Sequence, residues 1–157
     1  MPSSSPTDHA GVLTPAPVMY GAALLIGLAA EFALPIAHLP RTTSLWLGVA
    51  TIAISIAIVV SAVKALARGQ TAFDARKPTN TIVTDGAFRY SRNPTYLSLT
   101  LLYIGVALVL RSSWVLLMVL PAVLVTHWGV VLQEERYLEA KFGEEYRRYK
   151  ASVRRWV

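Results

Sequence analysis

The sequence contains no cysteine, which excludes disulfide bonds, thiolate catalysis and any metal site built on sulfur ligands. Histidine is also scarce. His9, His38 and His127 lie far apart, and no two of them have the spacing of a metal-binding pair, so no metal is predicted. The glycine-rich G-x-G-x-x-G fingerprint is absent as well. A cofactor site on a Rossmann-type sheet is therefore not expected.

Charge is the next scarcity, because only 15% of the 157 residues are charged while 54% are hydrophobic. A helix needs about 20 apolar residues to cross the hydrocarbon core of a bilayer. Four tracts meet this requirement, at about residues 18–39, 44–67, 94–111 and 114–133. A soluble helical bundle is the alternative, but soluble helices keep a polar face. The predicted fold is all-α: a polytopic membrane protein with about four transmembrane helices and a C-terminal amphipathic interfacial helix.

Basic residues are distributed unevenly between the two sides of these predicted spans. Of the 15 lysines and arginines, only Arg41 and Arg111 fall in the first and third connections, and the other thirteen fall on the opposite side. The positive-inside rule makes that opposite side cytoplasmic. Both termini are then predicted to be cytoplasmic, in a bacterial inner membrane. This orientation also accounts for the net charge of +6, so no nucleic-acid partner is predicted.

Three segments lie outside the predicted spans. Residues 1–17 carry four prolines and no basic residue ahead of an apolar run, which predicts a disordered tail and not a secretory signal. Residues 68–93 form a long cytoplasmic loop, and loops of this length are usually functional. Residues 143–157 combine an apolar, aromatic stripe with basic faces, which predicts a helix in the headgroup plane. Residues 18–157 are thus predicted to be one membrane domain.

The cytoplasmic loop ends in a basic and aromatic stretch, Gly86-Ala-Phe-Arg-Tyr-Ser-Arg-Asn-Pro-Thr-Tyr96. Asn93 and Pro94 fit a helix start, with the asparagine side chain as cap and proline at the first helical position. A helix start presents free backbone N–H groups, and Arg89 and Arg92 stand just before it. This combination predicts a site for a carboxylate or a phosphate. Simple anchoring of both arginines to lipid headgroups is the alternative.

Two adjacent glutamates, Glu134 and Glu135, follow the fourth span in a pattern without a helix breaker before Gly143. They come within reach of the arginine loop if the third and fourth spans pack as a hairpin. His127 lies seven residues before Glu134, on nearly the same helix face. Its simplest role is an interhelical hydrogen bond. For the glutamates, a solvated pair bridged to nearby basic residues is the alternative to a functional role.

Four segments, in order, resemble the isoprenylcysteine carboxyl methyltransferase family, which is similar to phospholipid methyltransferases. They are Thr81-Ile-Val-Thr-Asp-Gly86, Arg92-Asn-Pro-Thr-Tyr96, Glu134-Glu-Arg-Tyr-Leu138 and Phe142-Gly-Glu-Glu-Tyr146. The corresponding family elements are an L-V-T-x-G turn, R-[HN]-P-x-Y, E-E-x-x-L and F-G-x-x-Y, over about residues 70–155. Asn93 stands where histidine is common in that family, and Asn80 where the eukaryotic enzymes tend to have histidine.

This resemblance implies an integral membrane methyltransferase that binds S-adenosylmethionine at the cytoplasmic end of the bundle. Arg92 would then hold the methionine carboxylate, a glutamate the ribose hydroxyls, and Tyr96 the adenine. The implied catalytic residues are Arg92, Glu135 and His127. The implied cofactor-binding residues are Ile82, Val83, Gly86, Tyr90, Arg92, Asn93, Pro94, Tyr96, Glu134 and Glu135.

The implied methyl acceptor is lipidic or prenylated, among membrane lipids, and carries either a carboxylate or an amine. A carboxylate is already a nucleophile, whereas an amine must first lose a proton, which Glu135 or His127 is placed to accept. Two other functions are left open. One is an NADPH-dependent membrane reductase of the sterol-reductase type, which shares an R-H-P-x-Y element. The other is a noncatalytic lipid-binding membrane protein.

The distribution of basic residues generates a topological prediction. A reporter fused after Val157 and a cysteine introduced at Arg76 are both expected on the cytoplasmic side, since the thirteen clustered basic residues lie there. The measurement is labelling by a membrane-impermeant maleimide, which the cysteine-free chain makes specific to the introduced site. Labelling of intact cells at either place would contradict the predicted orientation.

Overall fold

A computed structural model describes residues 14–36, 38–71 and 79–157, and over these ranges the chain is helical with no strand. Most of the predicted disordered tail and residues 72–78 of the loop lie outside the described residues. The helices are α1 (Ala16–Ala33), α2 (Arg41–Arg68), α3 (Pro94–Leu110), α4 (Ser113–Phe142) and α5 (Glu144–Ser152). A short 3₁₀ turn, Gly86–Arg89, lies in the loop between α2 and α3.

The helices expose their large apolar side chains, as expected for contact with lipid. Phe32 is 93% exposed, and Leu25 and Trp46 are each 69% exposed. By length and composition α1, α2 and α4 can cross a membrane, while α3 is a shorter apolar helix of 17 residues, near the lower limit for a span. A soluble bundle would bury such side chains. The predicted fold class, a polytopic all-α membrane protein, is confirmed.

Prolines set the ends of the first connection, and the helices differ there from the predicted spans. α1 ends at Ala33 and not at residue 39, because Leu34 precedes Pro35 and the residue before a proline is disfavoured in the α conformation. α2 begins directly after Pro40 and runs to Arg68, a total of 28 residues. Pro40 is the N-cap residue of α2, where a proline removes no hydrogen bond from the helix interior. Prolines therefore mark the end of α1 and the start of α2.

The fourth predicted span is part of a much longer helix. α4 continues through the two glutamates to Phe142 and ends at Gly143, whose φ of +54° is accessible to glycine. The helix thus continues beyond residue 133, as the absence of a breaker before Gly143 predicts. Its course is irregular, with a turn at Met118 and a π-helical turn over His127–Val131. Nothing in the sequence predicted these two irregularities.

Small residues let α2 and α3 pack closely along their length. A Cβ added at Gly48 would lie 2.8 Å from the carbonyl oxygen of Gly105, so the two backbones are nearly in contact. About two turns further along, the Ser55 hydroxyl donates to the carbonyl oxygen of Ser98 at 2.7 Å. Close approach at glycine and interhelical bonds from serine are the usual means of helix association in lipid.

The C-terminal segment departs from its prediction. The helix predicted over residues 143–157 ends at Ser152, and Val153 has an extended backbone with φ −128° and ψ 134°. The helix is amphipathic as predicted, since Tyr146 and Tyr149 are buried while Arg147 is exposed. Residues 153–157, here called the C-terminal strap, turn back over the bundle. The carbonyl oxygens of Arg154 and Arg155 accept hydrogen bonds there from the segment that precedes α3.

The close contact of α2 with α3 generates a prediction on stability. Gly48→Ala is expected to destabilise the protein by about 1–3 kcal/mol, the usual effect of overpacking a tight contact. The measurement is thermal unfolding in detergent. Gly21→Ala is the matched control, since a Cβ there meets nothing within 4 Å and alanine favours helix. Equal melting temperatures for the two variants would contradict the proposed tight packing.

Candidate functional site

A cavity opens where the end of the loop, the start of α3, the exit of α4 and the inner face of α5 meet. About 690 Å³ of space lies between these walls, and this figure includes space that is open to solvent. Its walls combine charged, amide and hydroxyl side chains with aromatic and aliphatic ones: Leu66, Thr71, Thr79, Thr81, Ile82, Val83, Phe88, Arg92, Asn93, Thr95, Tyr96, Glu134, Glu135, Leu138, Tyr146 and Tyr149.

Most of the sequence-predicted site residues line this cavity. They are Ile82, Val83, Arg92, Asn93, Tyr96, Glu134 and Glu135. Gly86 does not line it, because it packs against Ser61 of α2 with a φ of +57°. Tyr90 is 75% exposed, and Pro94 is buried in the first turn of α3. The structure thus brings together residues that are separated by about 40 positions in the sequence.

His127 is not among the residues that line the cavity. It begins the π-helical turn of α4, with its ring centroid 6.0 Å from that of Trp156 in the strap and 5.7 Å from that of Trp128. Its Nδ1 atom is buried and has no hydrogen-bond partner among the described residues. The predicted interhelical hydrogen bond is therefore not made at this nitrogen.

Glu135 is the best-held charged group of the site. Its side chain is 6% exposed, and Arg155 donates to both carboxylate oxygens, from Nε to Oε1 at 3.0 Å and from Nη2 to Oε2 at 2.9 Å. Asn93 Nδ2 adds a longer bond to Oε1 at 3.5 Å. A bidentate arginine pair is among the strongest side-chain contacts, and here it raises the pKa of Arg155.

Arg92 lies beside the same carboxylate and interacts with the Tyr146 hydroxyl, but two of its three nitrogens have no acceptor among the described residues. Its side chain is 8% exposed, and Nη1 is 3.4 Å from Glu135 Oε1, within ion-pair distance but without hydrogen-bond geometry. Both Nε and Nη1 are buried without a hydrogen-bond acceptor among the described residues. Buried donors without acceptors are unfavourable by about 1–3 kcal/mol and more when charged. The arrangement suits an anionic group placed in the cavity.

Glu134 has different surroundings from its neighbour. Tyr96 donates its hydroxyl hydrogen to Glu134 Oε2 at 2.7 Å, which joins α3 to α4 at the cavity wall. A carboxylate has acceptor capacity for several hydrogen bonds. Glu134 can therefore accept further donors, whereas both oxygens of Glu135 are taken by arginine. Over the described residues, no group of three or more histidine, aspartate or glutamate side chains could hold a metal ion.

Comparison with known proteins supplies the family. Residues 43–145 match the profile of the phospholipid methyltransferase family, over more than half of the chain. The chain belongs to this family. It is part of the wider group of isoprenylcysteine carboxyl methyltransferase-like membrane methyltransferases, so the resemblance of the sequence motifs is confirmed. An uncharacterized protein of Haemophilus influenzae is 48% identical over 62 residues, which cover 40% of this chain and 98% of that protein. Family membership supports a methyltransferase activity in the membrane.

In this family member, Asn93 does not cap α3 as predicted. Its side chain makes no capping hydrogen bond with the helix start. Instead, Nδ2 donates to the carbonyl oxygen of Arg155 at 3.2 Å and to Glu135, because the asparagine is 5% exposed and turned toward the strap. The prediction of a cap was wrong because it used only local sequence. Pro94 does occupy the first helical position, as predicted.

Sequence reasoning missed the cavity residues Tyr146 and Tyr149 on α5, and it missed Arg155 of the strap, which holds Glu135. Tyr146 is 2% exposed, and Tyr149 donates to the carbonyl oxygen of Phe88 at 2.8 Å, so α5 covers the loop. The aromatic spacing of the Phe142–Tyr146 element was a signal for this face. Arg155 offered no such signal, because basic residues surround it in the sequence.

The buried tyrosines of α5 generate a prediction on pH dependence. Burial and then the Glu135 charge raise the pKa of Tyr146 well above its ordinary value of 10.0. Because the folded state holds the Tyr146 proton more firmly than the unfolded state does, neutral Tyr146 contributes fully to stability below pH ~10. This contribution is lost as the pH rises above that value. Tyr146→Phe is therefore expected to flatten the decline of thermal stability between pH ~9 and ~11. The control is Tyr90→Phe, at an exposed tyrosine, whose decline should match wild type. Equal slopes in all three proteins would contradict the prediction.

Proposed function

We propose that this protein is an S-adenosylmethionine-dependent methyltransferase. It acts on a lipidic or prenylated acceptor at the cytoplasmic face of a bacterial inner membrane, with both termini cytoplasmic. The observation that carries the proposal is the Arg92 guanidinium, which lines the cavity and is 8% exposed, and whose Nε and Nη1 have no hydrogen-bond acceptor among the described residues. Family membership supplies the reaction class.

The residues of the cavity fit this cofactor group by group. When bound, S-adenosylmethionine supplies an electrophilic methyl group on a sulfonium. The Nε and Nη1 donors of Arg92, which have no acceptor among the described residues, suit its carboxylate, since hydrogen bonds between a guanidinium and a carboxylate are charge-assisted. Glu134 has acceptor capacity for ribose hydroxyls. Phe88, Tyr96 and Tyr149 provide aromatic surface for adenine and for the cationic sulfonium.

The two glutamates have separate roles in this proposal. Glu134 is the cofactor contact, because its one described hydrogen bond, from Tyr96, leaves acceptor capacity toward the cavity. Glu135 holds the C-terminal strap, because Arg155 occupies both its oxygens. The predicted catalytic role of Glu135 is thus proposed to be indirect, through the placement of its arginine neighbours.

Methyl transfer is an in-line displacement, in which most of the rate enhancement comes from holding the two reactants in line. A carboxylate acceptor needs no base. For an amine acceptor the two predicted bases are poorly placed, since Glu135 is paired with arginine and His127 does not line the cavity. In this proposal an amine acceptor transfers its proton to Glu134 or to water, and O- and N-methylation are both compatible with the residues of the cavity.

Ligand binding separates this proposal from the two alternatives. Titration calorimetry of the detergent-solubilised protein is expected to give saturable binding of S-adenosylhomocysteine, the demethylated product, and no saturable binding of NADPH. Preference for NADPH would favour a membrane reductase. Binding of neither nucleotide, in a protein that still unfolds cooperatively, would favour a noncatalytic lipid-binding protein and overturn the proposal.

Arg92 provides the decisive variant in this assay. Arg92→Lys keeps the positive charge but loses the rigid, planar set of guanidinium donors, so affinity for S-adenosylhomocysteine is expected to fall at least ~10-fold, or ~1.4 kcal/mol. Arg148→Lys is the matched control, since the Arg148 side chain is 81% exposed. If both lysine variants keep wild-type affinity, Arg92 only anchors the loop and is not a ligand of the cofactor.

A further inference from the structure

The C-terminal strap is fastened across the segment that precedes α3. The backbone N–H of Arg92 donates to the carbonyl oxygen of Arg154 at 3.0 Å. The carbonyl oxygen of Arg155 accepts from Ser91 Oγ at 3.1 Å and from Asn93 Nδ2 at 3.2 Å. Ser91 and Asn93 are both buried, so these bonds are shielded from water. The backbone of the strap is thereby fixed, and the Arg155 side chain leaves it toward α4.

Two arginines and one carboxylate meet at this point. Arg155 takes both oxygens of Glu135 in a bidentate pair, while Arg92 lies 3.4 Å from Oε1 without hydrogen-bond geometry. Oε1, the oxygen nearest Arg92, already accepts from Arg155 and from Asn93, so it offers little to a second guanidinium. Arg155 and Arg92 are therefore competitors for Glu135, and in this structure Arg155 holds the better geometry.

Loss of Arg155 would remove the main partner of a carboxylate that is 6% exposed. A buried carboxylate without a partner is strongly unfavourable. Arg92 is the nearest remaining cation, and a small rotation of its side chain would complete a hydrogen-bonded pair with Glu135. Such a pair would withdraw the N–H groups that Arg92 otherwise offers to the cavity.

We propose that Arg155 is a positioning residue: it occupies the Glu135 carboxylate and so keeps the Arg92 guanidinium available to an anionic group in the cavity. The inference rests on the proposed function only for the identity of that group. It assigns the strap a role in ligand affinity that acts through another residue, without contact between Arg155 and the ligand.

The binding test uses full-length protein and S-adenosylhomocysteine as the probe. Arg155→Ala is expected to lower affinity at least ~10-fold, because Arg92 turns to Glu135. Adding Glu135→Gln to Arg155→Ala is expected to restore affinity to within ~3-fold of wild type, because an amide does not capture Arg92 as a carboxylate does. Arg148→Ala, at an exposed arginine of α5, should bind as wild type does.

Rescue in the double variant distinguishes this role from a merely structural one. If Arg155→Ala binds normally, Arg155 does not control Arg92 and the inference is wrong. If the double variant binds as weakly as Arg155→Ala, then Arg155 contacts the ligand or supports the fold, and the inference is equally wrong.

A ligand-free measurement keeps the inference testable if wild-type protein fails to bind this probe. The effect of Arg92→Gln on the melting temperature is compared in wild type and in Arg155→Ala. The drop is expected to be larger in the Arg155→Ala background, where Arg92 has become the partner of Glu135. Equal drops in the two backgrounds would overturn the inference without bearing on the proposed function. Absence of probe binding with unequal drops would overturn the proposed function alone.

Discussion

The carboxylate of Glu135 joins three parts of the described structure at the cavity: α4, the end of the loop before α3, and the C-terminal strap. α4 carries it out of the bundle, Arg155 brings the strap to it, and Asn93 and Arg92 bring the end of the loop. An ion placed away from water needs partners with good geometry, because its desolvation is otherwise uncompensated. Few arrangements of loop, strap and helix satisfy that requirement. The cavity is the space that this arrangement leaves between them.

Packing within the membrane supports the same site from below. The close approach of α2 and α3 at Gly48 and Gly105 aligns the two helices, and the Ser55–Ser98 hydrogen bond holds α3 near its start, where the loop ends. The loop then returns along α2, where Asp85 pairs with Arg68 and Gly86 packs on Ser61. The intervening Ile82 and Val83 become a wall of the cavity for this reason. Small residues in the bundle thus determine the shape of a site outside it.

The sequence predicted the features that depend on residues close together in the chain. Long uncharged tracts gave the all-α membrane fold, and Gly143 gave the end of α4, because a glycine with positive φ stops a helix wherever it stands. The convergence of Arg92 with Glu134 and Glu135 followed from ordered motifs. The strap was not predicted, because no helix breaker stands at Ser152. The helix ends there, and the carbonyl oxygen of Arg155 accepts hydrogen bonds from Ser91 and Asn93, which are distant in the sequence. Asn93 was misjudged as a cap for the same reason.

The arginines of this face separate into two physical classes, and the separation bears on what the site binds. An arginine that anchors a loop to headgroups needs only exposure and charge, and Arg89 and Arg148 meet both conditions. Arg92 carries the charge but lacks the exposure of an anchor, since its side chain is 8% exposed and lines the cavity. Buried donors left without acceptors conflict with the stability of the fold, and such conflicts are expected at functional sites. An anionic ligand that fills the cavity would resolve this one.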